Sequence, residues 1–316
     1  MIVSIKKILK TSIPLIFGAV LVWYSISKIS INVLIGYFKE ANYEWIFLGL
    51  FFGILSHLSR AYRWKFMLDP LGFKPRFTNS VLAVLVGYLV NLAIPRAGEV
   101  SRAFVLTNYE QIPFEKGFGT IVAERIADLV MMLCIIIITL FVQFDFIYDL
   151  LTKNFDASKI SIGLIILIII CYILYFFVKK ATSGILLKIK TFVIGLVEGV
   201  TSIFRMKNKV AFIFHTIFIW VMYVAMFWAT IPAISGLEVP FGGVLIGFIA
   251  GGFSIAATNG GIGLYPIAVA GALALFDIPS DPATAFGWIM WTAQTAMIII
   301  FGGLAFLFLP IYNKHK

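Results

Sequence analysis

The strongest constraint on this chain is a set of unbroken apolar runs, each close to the length a helix needs to cross a bilayer. Six stand out, at 12–30, 43–59, 117–144, 160–178, 210–232 and 284–309. The runs are continuous rather than alternating, so a transmembrane β-barrel is excluded. Composition agrees, with 61% hydrophobic and 13% charged residues over 316 positions. These features predict an all-α polytopic membrane protein, with 1–316 as a single transmembrane domain. The first run follows a basic start, as in a signal peptide. It is long and lacks a small-x-small cleavage site, so it reads as a retained span.

The charges act as orientation signals. The net charge of +10 would point to nucleic acid only if the cations shared a soluble surface. They sit instead in short connections, so no nucleic-acid partner is expected. Lys6, Lys7 and Lys10 lie at the start. Arg60, Arg63, Lys65, Lys74 and Arg76 fall in a loop at 60–77, and a third group lies in 179–209. Asp145, Asp149, Asp156, Glu238, Asp277 and Asp281 occupy the opposite connections. The positive-inside rule then places both termini in the cytoplasm and the chain in the cell membrane. Cys134 and Cys171 lie inside apolar segments and suggest neither a disulfide framework nor a metal site.

Two further apolar stretches are broken: 78–104 at IPRAGE and 241–276 at TNGGIGLYP. With 60–77 inside and 145–159 outside, only the run 117–144 crosses after residue 104. The stretch 78–104 must therefore enter and leave on the cytoplasmic side. By the same parity 241–276 enters and leaves from outside. Each is a re-entrant hairpin or a pair of crossings, and the central breakers favour hairpins. The order span, span, hairpin, span then occurs twice in opposite orientation, in halves 1–150 and 151–316. Inverted repeats with interrupted helices mark transporters that bind substrate near the breaks. The segment 184–204 can lie along the cytoplasmic interface as an elbow, or be an ordinary connecting helix.

The first break carries charge. Arg96, Glu99 and Arg102 follow Asn91 and Pro95. At roughly 2.5–3.5 kcal/mol each in lipid, three charges would cost about 8–10 kcal/mol. They must face protein or a wet cavity, and irregular backbone at that depth needs the same shelter. Glu99 and Arg102 share a face of a helix starting near Gly98, while Arg96 precedes it and can meet an anion. A self-neutralised Glu99–Arg102 staple is the alternative. In the next helix Glu124 and Asp128 share a face, and Arg125 can pair with Asp128 at i, i+3. A bridge from these acids back to Arg96 or Arg102 is one reading and a substrate contact the other, and the two are compatible, since a bridge can also be a gate. Arg60 and Arg63 read as headgroup-snorkelling anchors, Trp64 as part of an interfacial belt, and His57 as a structural hydrogen-bonder.

The second break has no charge. Gly260, Gly261 and Gly263 allow close approach of backbone or ligand, Asn259 can cap the following helix, and Pro266 suits an early helical position. Helix packing and anion binding account equally well for the glycines. The sequence contains no P-loop, GxSxG or HExxH motif, so an enzyme is disfavoured and no cofactor or metal is expected.

NLAIPRAGEVSRAF followed by AERIAD resembles the flippase-like family, also called the lysylphosphatidylglycerol synthase transmembrane-region family. That family's pattern is roughly N-x-x-[LI]-P-x-R-x-G-E-x-x-R, then E-R-x-x-D. Asn91, Pro95, Gly98, Glu99, Arg102, Glu124, Arg125 and Asp128 match, and the basic residue falls at Arg96, one place off the pattern. A later motif resembles P-G-G-[LI]-G-x-x-E. Gly260, Gly261 and Gly263 match it, but Asn259 stands for the proline and Pro266 for the acid, so no carboxylate role transfers. The likeness spans about 10–310 and implies movement of a lipid between leaflets. In the multiple peptide resistance factor this fold is the flippase half, paired with a soluble synthase domain. That domain is absent here, so the chain is not expected to be a lysyl transferase itself.

The resulting expectation is a lipid flippase-like transporter for a phospholipid or lipid-linked headgroup. Its substrate residues would be Arg96, Glu99, Arg102, Glu124, Arg125, Asp128, Asn91, Asn259, Gly260, Gly261 and Gly263. A scramblase or an ion-coupled mechanism suits a chain without an ATP motif. Self-association and a membrane-enzyme partner are open, and a lipid-modifying or glycosyl-transfer accessory protein or a small-ion or solute transporter are the rival readings.

Overall fold

A computed structural model describes residues 20–27, 29–94, 96–154 and 206–314, with scattered residues between 162 and 194. Its helices are α1 (Val20–Ser27), α2 (Ile31–Glu40), α3 (Tyr43–Leu68), α4 (Phe77–Ala93), α5 (Ala97–Glu110), α6 (Phe114–Val142), α7 (Phe144–Asn154), α8 (Lys209–Thr230), α9 (Phe241–Ala257), α10 (Leu264–Ala274) and α11 (Ser280–Tyr312). No strand occurs among the described residues. Pro95, Cys171 and residues 1–19 lie outside them, while the runs 160–178 and 184–204 are described only at scattered positions.

Four helical stretches are long and apolar enough to cross a membrane: Tyr43–Leu71, Phe114–Val142, Lys209–Ala233 and Ser280–Tyr312. They contain the expected runs 43–59, 210–232 and 284–309 and cover 117–144 up to Val142, where the helix ends. Their outward faces carry large bare hydrophobic side chains, among them Phe141 and Leu307 at 79% and 65% exposure. A soluble surface would bury these groups. The chain is an all-α, multi-pass membrane protein.

Both broken stretches fold as helix–break–helix. In the first, α4 and α5 are separated by residues 94–96. In the second, α9 and α10 are separated by 258–263. At ~1.5 Å per residue, the 17 residues of α4 span about 26 Å, short of the ~30 Å apolar core of a bilayer. The 11 residues of α10 span about 17 Å.

Contacts gather the chain into two compact units, Met1–Glu124 with Val210–Lys316, and Arg125–Lys209. In the first unit the two hairpins share one support, α11. Its N-terminal half packs Ala283, Phe286 and Ile289 with Phe227 of α8, Val244 of α9 and Leu273 of α10. Its C-terminal half packs Ala305 and Leu309 with Leu82 and Val86 of α4, Leu106 of α5 and Leu68 of α3. Two glycines permit this. A Cβ on Gly287 would stand 2.7 Å from the backbone of Pro266, and one on Gly302 would stand 2.9 Å from the Leu85 carbonyl oxygen. Small residues let helices in a membrane approach closely, where dispersion must replace the hydrophobic effect.

Several boundaries differ from expectation. α3 continues to Leu68, so Arg60 to Lys65 are helical rather than part of a loop at 60–77. Helices also occupy Ile31–Glu40 and Phe144–Asn154, where connections were expected. Phe144–Asn154 alone is too short to cross a bilayer, whereas Ile31–Glu40 follows Val20–Ser27 at a bend of 82°, and the two together are long and apolar enough for a broken span.

Candidate functional site

The first break is built by close packing of α4 on α5. The Gly98 N–H donates to Asn91 Oδ1 at 2.7 Å, tying the N-terminus of α5 to the last turn of α4. Gly98 has no room for a side chain, since its Cβ would lie 2.5 Å from Asn91 Cγ and closer still to the Gly87 carbonyl oxygen. Gly87 in turn lies under the Arg102 stem, and a Cβ there would sit 2.6 Å from Arg102 Cγ. Arg96 enters α5 in the left-handed region at φ 62°. That conformation costs an L-residue about 1–2 kcal/mol. Its side chain is exposed and makes no hydrogen bond or ion pair among the described residues. Glu99 is half-buried, with Asn91 Nδ2 at 3.5 Å, the outer limit of a hydrogen bond.

Arg102 turns into the core and makes no ion pair with Glu99. Its two Nη atoms donate to Oε1 and Oε2 of Glu124, both at 3.1 Å. This fork-on-carboxylate geometry is the strongest that arginine offers. The guanidinium lies 4.4 Å over the Trp64 ring, and Trp64 Nε1 donates to Thr120 Oγ1 at 2.8 Å. Two more arginines reach the same carboxylate from α3. Arg60 Nη1 donates to Glu124 Oε1, and Arg63 Nη2 lies 3.5 Å from it. Arg63 Nη1 also donates to Thr216 Oγ1 at 3.0 Å, and its guanidinium stands 5.3 Å from the Phe212 ring centroid. Arg60 Nη2 reaches the Tyr223 hydroxyl at 3.4 Å, which is 3.2 Å from that of Tyr88. Glu124, Arg63 and Trp64 are each 0% exposed. Charges this deep persist only when paired and hydrogen-bonded.

These contacts identify the protein partners that the sequence left open. The bridge from Glu124 runs to Arg102 and not to Arg96. Arg60 and Arg63 are core residues around Glu124, not headgroup anchors, and Trp64 is a buried platform rather than part of an interfacial belt. Snorkelling predicts exposed tips, and here both tips are buried. A cation at a helix end fits the positive-inside rule as well as a buried pair, so position along the chain could not separate them. The available signal was spacing: Arg60, Arg63 and Trp64 fall on one face of α3 at i, i+3 and i+4. In the second unit Arg125 Nη1 stands 3.7 Å from Asp128 Oδ2, the expected i, i+3 pair.

The second break reaches the first. Asn259 Nδ2 donates to the carbonyl oxygen of Leu92, in the last turn of α4, at 2.7 Å. A Cβ on Gly260 would meet Leu92 Cδ2 at 2.8 Å. Asn259 therefore joins the two tips instead of capping α10, whose first turn has no side-chain cap. Gly260, Gly261 and Gly263 have φ of 65°, 81° and 69°, conformations that glycine adopts without steric cost. Trp291 of α11 pins this turn by donating from Nε1 to the Gly260 carbonyl at 2.8 Å. Among the described residues no group of three His, Cys, Asp or Glu side chains is arranged to hold a metal.

Comparison with known proteins agrees with this architecture. Residues 12–302 match the family described as the lysylphosphatidylglycerol synthase TM region. A UPF0104 membrane protein of Methanocaldococcus jannaschii is 33% identical over 125 residues, which are 39% of this chain and 37% of that protein. The glycosyltransferase AglD of Haloferax volcanii is 31% identical over 77 residues, 24% of this chain and 12% of that protein. Each match covers well under half of the relative's length. No solved structure matches. The charged first break, the glycine turn and the match over nearly the whole sequence lead to one assignment: the chain belongs to the lysylphosphatidylglycerol synthase transmembrane-region family.

Proposed function

We propose that this protein moves a phospholipid or lipid-linked headgroup between leaflets, with the headgroup engaging the charged break between α4 and α5. The observation that carries the reading is the convergence of Arg60, Arg63 and Arg102 on Glu124, with Arg102 in the second turn of the helix that follows the first break. Buried ionisable clusters between membrane helices mark pathways for polar cargo. Arg96, exposed at the entrance to α5, is the group that first meets a lipid phosphate. Glu99 faces a cationic substituent on the same headgroup. Glu124 holds the inner arginines in place and exchanges them with the phosphate as it passes. Asn91, Asn259 and the three glycines shape the passage between the tips, while Arg125 and Asp128 extend the polar face of α6.

In this reading the hairpins are re-entrant, and the chain is one transmembrane domain of two inverted halves, 1–150 and 151–316. It lies in the cytoplasmic membrane with both termini inside and acts as a transporter rather than an enzyme, alone or as a homo-oligomer. The partial likeness to a glycosyltransferase favours a second reading, in which the chain serves a membrane enzyme that uses the lipid it moves. The test is reconstitution in vesicles containing lipids with fluorescent anionic, zwitterionic or aminoacylated headgroups, with and without a proton gradient. Protein-dependent loss of leaflet asymmetry is the expected result. No movement of any lipid by folded protein refutes the transport reading. Copurification with a glycosyl-transfer enzyme would favour the second.

A further inference from the structure

A cavity of about 250 Å³ opens between α3, α4 and α11, beside the arginine cluster but separate from it. It is lined by His57 and Leu58 of α3, Leu85 and Tyr88 of α4, and Met297 and Phe301 of α11. Tyr88 turns its hydroxyl to Tyr223, and both ring nitrogens of His57 are buried without a hydrogen-bond partner. What faces the space is therefore carbon. Packed interiors seldom leave voids much larger than a water, and an apolar void gives water nothing to bond to. At its edge Leu58 and Phe301 are exposed, and Ile300 and Leu304 continue the bare apolar surface along α11. The mouth thus opens on the face that meets lipid tails.

We infer that this cavity receives a hydrocarbon chain of a membrane lipid, entering sideways from the bilayer between Leu58 and Phe301. Met297, unbranched and flexible, lets the wall adapt to a chain of variable shape. The chain lies next to the route to the charged site. From Tyr88 the Tyr223 hydroxyl leads to Arg60, and His57 sits one helical turn before Arg60 on α3. A lipid with its tail here presents its polar end toward Arg60, Arg102 and Glu124. That this lipid is the transported one rests on the reading above.

The test is photolabelling of the protein in vesicles with a phospholipid that carries a diazirine midway along one acyl chain, followed by peptide mapping. Adducts should concentrate on Ile54, Leu58, Leu85 and Phe301. Leu85→Trp fills the space and should cut them about tenfold, the change expected for loss of a modest binding increment. Adducts on Ile137 and Phe141, exposed on α6, should stay unchanged and report an intact fold. Leu85→Phe, a smaller filler, serves if the tryptophan disturbs folding. Cavity adducts no denser than those at Ile137 and Phe141, or unmoved by either filler, overturn the inference. Normal lipid movement by a filled variant that has lost cavity labelling keeps the tail site and shows that the lipid held there is not the transported one. Cavity labelling that the fillers abolish, in a protein that moves no lipid, keeps the tail site and removes the transport reading instead.

Discussion

Glu124→Gln keeps the shape of the side chain and removes the carboxylate on which three arginines converge. Arg102 would lose one of its two 3.1 Å partners, because the new amide nitrogen is a donor facing a donor. Arg60 and Arg63 would lose the charge they share at Oε1. One such pair at ~4 Å is worth about 4 kcal/mol at an effective dielectric of ~20, and the retained amide oxygen recovers part of that. Removing one partner of a buried pair costs about 3–5 kcal/mol, and the three-fold convergence puts this case toward the upper end. At about 2–4 °C per kcal/mol for a large domain, the apparent melting temperature should fall by roughly 10 °C or more. Intrinsic tryptophan fluorescence during heating in detergent reads this, since Trp64 lies against Arg102. Adding Arg102→Gln should return at least about 1 kcal/mol, because it removes a cation left without its counter-charge. A Glu124→Gln protein that melts within about 1 °C of wild type would refute the structural account of the cluster.

Three further substitutions separate packing from function. Arg96→Gly should raise stability by up to about 1 kcal/mol by relieving the left-handed residue, yet slow lipid movement, so melting and translocation should change in opposite directions. Gly98→Ala should lower the melting temperature by the equivalent of about 3 kcal/mol or more, because its methyl group would collide with the backbone of Gly87 and with Asn91. Asn259→Ala removes the bond to the Leu92 carbonyl and should cost about 1 kcal/mol in thermal unfolding while impairing translocation, the readout specific to contact between the tips.

How far the sequence foretells the structure depends on how local each signal is. The long spans follow from apolar runs that nothing but a bilayer or a deep core would cover. The breaks at IPRAGE and TNGGIGLYP follow from backbone chemistry, since glycine and proline punctuate a helix wherever they lie. The need to shelter Arg102 was equally legible, because a lipid-facing placement of the charges at the first break would be prohibitive. Partners were less so. Glu99 stands three residues from Arg102, yet Arg102 reaches 22 positions along the chain to Glu124. Arg60 and Arg63 sit where orientation signals also sit, and only the packing of α3 against α6 and α8 tells buried cations from anchoring ones. Asn259 is well placed to cap α10, and a competing carbonyl 167 residues away takes its side chain instead. Local pattern therefore gave four long spans, the two breaks and the cost of burial but not the short helices α2 and α7, while the matching of donors to acceptors depended on tertiary contacts.

The central claim is that the charged break carries the headgroup. It is tested most directly by comparing lipid translocation by wild-type protein and the Arg96→Ala/Glu99→Ala variant in the same vesicles. Neither side chain belongs to the buried core, so both proteins should fold. The account predicts that the wild type moves lipid and the variant moves it no faster than protein-free vesicles do. Translocation by the variant at the wild-type rate would contradict it.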